Sequence, residues 1–205
     1  MKDTRNAPSL RSHEDLLEII PEFLHPEASD ALLKALQTQI AWNDENVKMF
    51  GRSISTRRKI AFFGLSPVTY RYSGAHLKAE SIPPCLDDIL KTVRRTTGHP
   101  FNSILLHLYP DGGAAMGWHR HKEAELVPAG QIQLATLSLG ACRRFAIRRI
   151  SSKSTQIFPL HSGTLVQMKQ GFQSEYQHCV FKDPKILAPR INLSFRNLFE
   201  PSRHE

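Results

Sequence analysis

Two spacings of hydrophobic residues divide this chain. In SDALLKALQTQIAW the apolar positions Leu32, Leu33, Leu36 and Ile40 recur at helical intervals on one face, with Ser29 ahead of them as the expected N-cap. PPCLDDILKTVRRTTG repeats the pattern with Leu86, Ile89, Leu90 and Val93, opening on prolines and stopping at Gly98. These are two amphipathic helices. Residues 1–14 are polar and read as a flexible tail, so order is expected from Asp15, where DLLEIIPEFL reads as a short strand closed by Pro21 and a turn at His25-Pro26. From Phe101 onward the texture changes to short β-branched and aromatic runs, SILLHLY, LATLSLG, RFAIRRI, TLVQMKQ and RINLSFRNLF, separated by turn clusters such as PDGG and LHSG. Many short strands without intervening helices predict a mainly β, α+β molecule: an antiparallel double sheet or barrel with both helices packed on one side.

Composition narrows the picture. A chain of 205 residues can bury one substantial core, and residues 15–205 are expected to form a single domain. The formal charge is +8, with basic clusters at Arg57-Arg58-Lys59, Arg94-Arg95, Arg143-Arg144 and Arg148-Arg149, which suits a polyanion-binding surface and makes nucleic acid the leading partner. The alternative is that these cations only solvate an ordinary surface. Cys85, Cys142 and Cys179 are odd in number and widely spaced, unlike a disulfide framework or a zinc knuckle, so a reducing intracellular compartment is expected. No apolar leader and no membrane-length apolar run is visible, and no coiled-coil pattern, so the expectation is a soluble monomer without a membrane partner.

The chemistry concentrates in the C-terminal half. In a strand, residues two apart share a face, so His119 and His121 of GWHRHKEAEL can point together into the mouth of a barrel, and His178 in EYQHCV is the best third ligand. Three protein ligands on one side of a metal leave positions for oxygen and a chelating cosubstrate. Bare H-x-H spacing also fits surface or core-capping histidines. In PRINLSFR, alternation puts Arg190, Asn192, Ser194 and Arg196 on one face and Ile191, Leu193 and Phe195 on the other. Inward guanidinium groups need anions, and a dicarboxylate bound end-on would satisfy both; an edge strand with its arginines in solvent is the competing reading.

Taken together and in order, FNSILLHLYPDGGAAMGWHRHKEAEL, LATLSLGACRRFAIR, LHSGTLVQM, YQHCV and PRINLSFR resemble the AlkB family of Fe(II)- and 2-oxoglutarate-dependent dioxygenases, over about residues 45–199. The resemblance implies a double-stranded β-helix, or jelly roll, carrying N-terminal helices and a nucleotide-recognition lid, with residues 15–205 as one AlkB-like dioxygenase domain. It implies oxidative dealkylation of bases such as 1-methyladenine and 3-methylcytosine in DNA or RNA, a direct-reversal repair located in a nucleus or bacterial cytoplasm. His119 and His178 match the family's histidine ligands. Arg190 and Arg196 match the arginines that hold the two cosubstrate carboxylates, Tyr109 matches a tyrosine that touches it, and Asn192 shares the strand face of the arginines. Glu123 falls where an acidic residue reads the flipped base, Tyr72 where an aromatic stacks on it opposite the His119 ring, and Phe50 on a hairpin that wedges into the duplex.

The chain also departs from the family pattern. The H-x-D motif is His119-Arg120-His121 here, which removes one negative charge from the ligand set. His107 stands where many relatives have an asparagine that donates to the cosubstrate, and Arg57 where they often have proline. A working dioxygenase is the first reading; a catalytically impaired nucleic-acid-binding descendant, owing to His121, is the second.

Overall fold

The computed structural model describes residues 12–49, 52–72, 74–123, 125–126 and 132–199. A helical turn α1 (His13–Leu16) runs into β1 (Leu17–Ile20), followed by α2 (Pro26–Gln39), β2 (Asn43–Met49), β3 (Arg52–Gly64), β4 (Thr69–Tyr72), β5 (Ala75–Lys78), β6 (Glu80–Ser81) and α3 (Pro84–Thr97). Then come β7 (Ser103–Tyr109), β8 (Met116–His119), β9 (Leu134–Gly140), β10 (Arg143–Arg149), β11 (Thr155–Leu160), β12 (Thr164–Met168), a helical turn α4 (Phe172–Glu175), β13 (Tyr176–Val180) and β14 (Arg190–Arg196).

The large sheet runs β1-β12-β9-β14-β7-β3-β2, with β6 added beside β3, and the small sheet runs β11-β10-β13-β8. Strand alternation gives the large sheet two buried faces. Ile60, Phe62, Leu105, Tyr109, Val166 and Met168 pack toward Phe145, Ile147, Tyr176 and Val180 of the small sheet. On the other side Ala61, Phe63, Ile104, Leu106, Leu137, Leu165, Ile191, Leu193 and Phe195 meet Leu36 of α2 and Leu86, Ile89, Leu90 and Val93 of α3. A strand covered on both faces reads as a near-continuous apolar run, which is why β7, β9 and β14 stand out in the sequence. Each such leucine or phenylalanine contributes roughly 1.5–3 kcal/mol of burial. The result is a mainly antiparallel jelly roll with both long helices on one side, as the periodicity predicts.

Several local expectations change. Helix α2 starts at Pro26, not after Ser29: the proline occupies the first helical position, His25 caps the backbone, and Ser29 is buried with its hydroxyl donating to the Leu24 carbonyl at 3.2 Å. Ile40 follows the helix as its C-cap. The expected strand over DLLEIIPEFL is shortened to Leu17–Ile20, because Ser12 and Asp15 form a capping box that winds residues 13–16 into a turn. Helix α3 does end at Gly98, whose φ of 70° suits a glycine and whose N–H donates to Arg94. No helix among the described residues is long and apolar enough to cross a membrane.

Candidate functional site

The small sheet brings two histidines together across neighbouring strands. β8 and β13 pair antiparallel with His119 directly opposite His178, and the ring centroids lie 4.1 Å apart. His121 was expected on the same strand face as His119, but β8 ends at His119 and His121 lies two residues beyond it. Its position is set differently: the His121 backbone N–H donates to the side-chain Oε1 of buried Gln173 at 3.0 Å, which brings its ring to 5.2 Å from His119 and 5.3 Å from His178. Ligand-capable atoms of the three rings all lie within 4.8 Å of one another.

The electronic state of these rings suits metal binding. His119 Nδ1 lies 2.9 Å from the Gly117 carbonyl, which can only accept, so Nδ1 carries the proton and Nε2 keeps its lone pair. Burial, with His121 nearby, pushes His119 down to about 3, and burial likewise lowers His121 and His178 below the ordinary histidine range. All three are neutral nitrogen donors at neutral pH, a set that fits a divalent transition metal.

The second half of the site comes from β14. Its register against β7 places Arg190 opposite Tyr109 and Asn192 opposite His107, and the alternation read from PRINLSFR holds, since Arg190, Asn192, Ser194 and Arg196 line the same cavity as the three histidines. Both arginines are 1% exposed, which excludes the reading in which they extend into solvent from an edge strand. Arg190 donates to Ser138 Oγ and Asn192 Oδ1, each at 2.8 Å, yet its Nε and one terminal nitrogen are buried without a partner. Arg196 donates to the Tyr70 hydroxyl, and its Nε is likewise unpartnered. Buried guanidinium donors left open in this way fit an anionic ligand with more than one carboxylate.

A third layer lies on β2 and β3. Glu45 and Arg58, both 3% exposed, form an ion pair at 2.6 Å. Thr56 donates to the same Glu45 oxygen, and His107 Nε2 lies 3.4 Å from the other. Burial pushes the Glu45 carboxyl up, but His107, Arg58 and Thr56 outweigh it and hold it at about 2; burial pushes His107 down to about 4, so its ring is neutral. Arg58 also lies 3.4 Å from the Tyr109 hydroxyl. Tyr72 is a cavity wall whose ring packs 5.4 Å from His107 and 6.0 Å from Tyr70. Glu123 reaches the site through His121, with Oε1 3.7 Å from Nδ1. Burial raises its carboxyl and His121 and Arg196 more than reverse this, leaving it well below the usual carboxylate range. Phe50 lies outside the described residues.

Sequence reasoning missed Glu45, Arg58, Tyr70 and Met116 as parts of this region. Arg58 was counted in a surface cluster, and so was Arg143, which is 1% exposed and donates to four backbone carbonyls, of Asp111, Gly112, Ala114 and Phe181. Alternation was the available signal for Arg58: it occupies an inward position two residues before the buried Ile60, between exposed Arg57 and Lys59. Arg57 has a left-handed φ of 63° and pairs with Asp111 at 2.9 Å, so it ties β3 to the loop after β7.

Comparison with known proteins places these features in context. The 2OG-Fe(II) oxygenase superfamily matches residues 16–196. The DNA oxidative demethylase ALKBH2 of Homo sapiens is 37% identical over 160 residues, covering 74% of this chain and 60% of the human protein. The Mus musculus protein of the same name is 31% identical, covering 83% of this chain and 75% of the relative. Alpha-ketoglutarate-dependent dioxygenase alkB homolog 3 of Homo sapiens is 29% identical over 197 residues, covering 90% of this chain and 67% of that protein. Among solved structures, that of OsALKBH1 superposes with a TM-score of 0.62 at 15% identity, covering 88% of this chain and 97% of the other, a likeness of fold.

Proposed function

The chain belongs to the 2OG-Fe(II) oxygenase superfamily and within it to the AlkB family, and on that premise we propose that it oxidatively dealkylates nucleic-acid bases, 1-methyladenine and 3-methylcytosine foremost, in DNA or RNA. The family uses Fe(II) and 2-oxoglutarate. The single observation that carries the reading is that one cavity combines three neutral histidines with Arg190 and Arg196, each of which keeps at least one buried guanidinium nitrogen without a partner. A scaffold retained only for binding has no need of two buried guanidinium groups beside a cluster of metal donors.

His119, His121 and His178 would hold Fe(II). Arg190 and Arg196 would each take one carboxylate of 2-oxoglutarate, with Asn192 steadying Arg190 and with Tyr109 and His107 lining the same side. When bound, iron with oxygen and 2-oxoglutarate supplies hydroxylation of an N-methyl group, giving succinate and carbon dioxide, after which the hydroxymethyl adduct releases formaldehyde and the repaired base. The protein's own contribution is orientation and exclusion of water. Tyr72 walls the base pocket and Glu123 accepts a hydrogen bond from the exocyclic amine; a wedging role for Phe50 belongs to the same proposal. The reading includes one catalytic domain over residues 15–205, acting as a monomer within a nucleus or bacterial cytoplasm.

One observation favours a second reading, nucleic-acid binding without turnover: the ligand set contains no carboxylate, so the metal keeps a formal +2 charge before any anion arrives. Succinate release separates the two. The dioxygenase reading predicts succinate that rises when a methylated oligonucleotide is added to protein, Fe(II), 2-oxoglutarate and oxygen, and that disappears in Arg196→Met. Salt-dependent oligonucleotide binding with background succinate would support the second reading instead.

A further inference from the structure

We propose that Glu123 is a positioning residue for the metal site: its carboxylate holds the Nδ1 proton of His121, turns the other ring nitrogen toward the metal, and supplies from outside the ligand set the negative charge that three imidazoles lack. The inference rests on the three-histidine metal reading above and adds a role for Glu123 to it.

The three rings are not equivalent. His119 is fixed by a neutral carbonyl, that of Gly117, at 2.9 Å. His121 Nδ1 is buried without a hydrogen-bond partner, and Glu123 Oε1 lies 3.7 Å from it. His178 Nδ1 is buried and unpartnered too, but among the described residues no carboxylate oxygen lies within 4 Å of its ring nitrogens. Among the described residues, of the three rings only that of His121, whose own position breaks the H-x-D pattern, has a carboxylate near it.

The charges around the cavity give Glu123 its weight. Arg58, Arg190 and Arg196 all line the cavity, so a dication entering it meets three guanidinium groups. Glu45 is already paired with Arg58 at 2.6 Å, and Glu125 with Arg71 at 2.8 Å. Among the described residues, Glu123 is the carboxylate that comes within 4 Å of a ligand ring nitrogen, and it also meets the Tyr70 hydroxyl. A carboxylate accepting from the distal nitrogen of a ligating histidine fixes its tautomer and makes it a stronger donor. The two oxygens are turned differently: Oε1 faces His121, while Oε2 accepts from the Lys122 N–H at 2.8 Å.

The test uses Co(II) alone, titrated into metal-free protein under nitrogen and followed by its visible absorption, without oligonucleotide or 2-oxoglutarate. Wild type, Glu123→Gln, His121→Asp and the double variant are compared. Glu123→Gln should bind one Co(II) some 10- to 100-fold more weakly than wild type, with a shifted ligand-field band. In the His121→Asp background the same substitution should cost far less, because the imidazole through which Glu123 acts is gone. Equal affinity of Glu123→Gln and wild type would overturn the proposal, and so would an equal loss in both backgrounds. Absence of Co(II) binding by the wild type would instead overturn the three-histidine reading and this inference with it.

Discussion

At the scale of single residues, the account depends on buried ionisable groups that are either paired or held open for a ligand. Arg190 belongs to the second kind, so Arg190→Met should leave the fold standing and weaken 2-oxoglutarate. Loss of a buried charge-assisted contact of about 2–4 kcal/mol corresponds to roughly a 30- to 1000-fold rise in KM for the cosubstrate. Steady-state kinetics beside a melting curve checks this, and an unchanged KM would place the carboxylate elsewhere. His107 is buried beside Glu45, with Nε2 3.4 Å from the carboxylate. Its folded value of about 4 lies below the ordinary 6.5, so the unfolded chain gains a proton that the folded chain refuses. Stability from this group is therefore full above pH 6.5 and is lost as the pH falls from 6.5 toward 4. In urea unfolding across that window, His107→Asn should reduce the slope of stability against pH by up to about 1.4 kcal/mol per pH unit, one proton's worth. Identical slopes would mean that His107 is charged in the folded state. His119, Arg190 and Arg196 were legible because spacing and strand alternation announce them. Glu45 and Arg58 were not, since a buried ion pair joining β2 to β3 looks in sequence like two surface charges.

At the scale of elements, β7, β9, β12 and β14 were readable because both faces of the large sheet are covered, so their apolar runs are nearly unbroken. β3 was not read from periodicity, since its first half is polar and basic and only IAFF carries the buried alternation. β8 was read as reaching His121, but it stops at His119, and His121 is placed by Gln173 from α4, a contact no local pattern encodes. Two glycines test the element boundaries. Gly98, at the end of α3 with φ of 70°, has nothing within 4 Å of an added Cβ, so Gly98→Ala should cost only the left-handed conformation, about 1–2 kcal/mol. Gly163, in the turn before β12, has φ of 82° and would bring a Cβ to 2.2 Å from the Leu24 carbonyl oxygen. Its N–H donates to Ser138 and its carbonyl accepts from Leu24, so Gly163→Ala adds a backbone clash and should cost roughly 2–4 kcal/mol. Thermal unfolding should show the Gly163 variant several degrees below the Gly98 variant; the reverse order would contradict the turn geometry.

At the scale of the whole molecule, the charge of +8 is not one surface property. Arg58, Arg143, Arg190 and Arg196 are interior, while the Arg57 and Arg144 side chains are 64% and 55% exposed. Oligonucleotide affinity should fall as salt rises. Neutralising Arg57 or Arg144 should lower the slope of log affinity against log salt by up to about 0.7–0.9 each where the residue contacts phosphate, whereas Arg143→Gln should lower stability and leave the slope alone. A slope that responds to Arg143→Gln and to neither exposed arginine would contradict this division.

The central claim is that a cavity with three histidines and two inward arginines performs base dealkylation. Mass spectrometry of an oligonucleotide carrying one 1-methyladenine tests it most directly, after incubation with Fe(II), 2-oxoglutarate and ascorbate, using wild type and His121→Asp in parallel. The account predicts loss of the methyl mass with the wild-type protein. Retention of the methyl by the wild type, with loss only in His121→Asp, would contradict it and identify His121 as the residue that silences a competent scaffold.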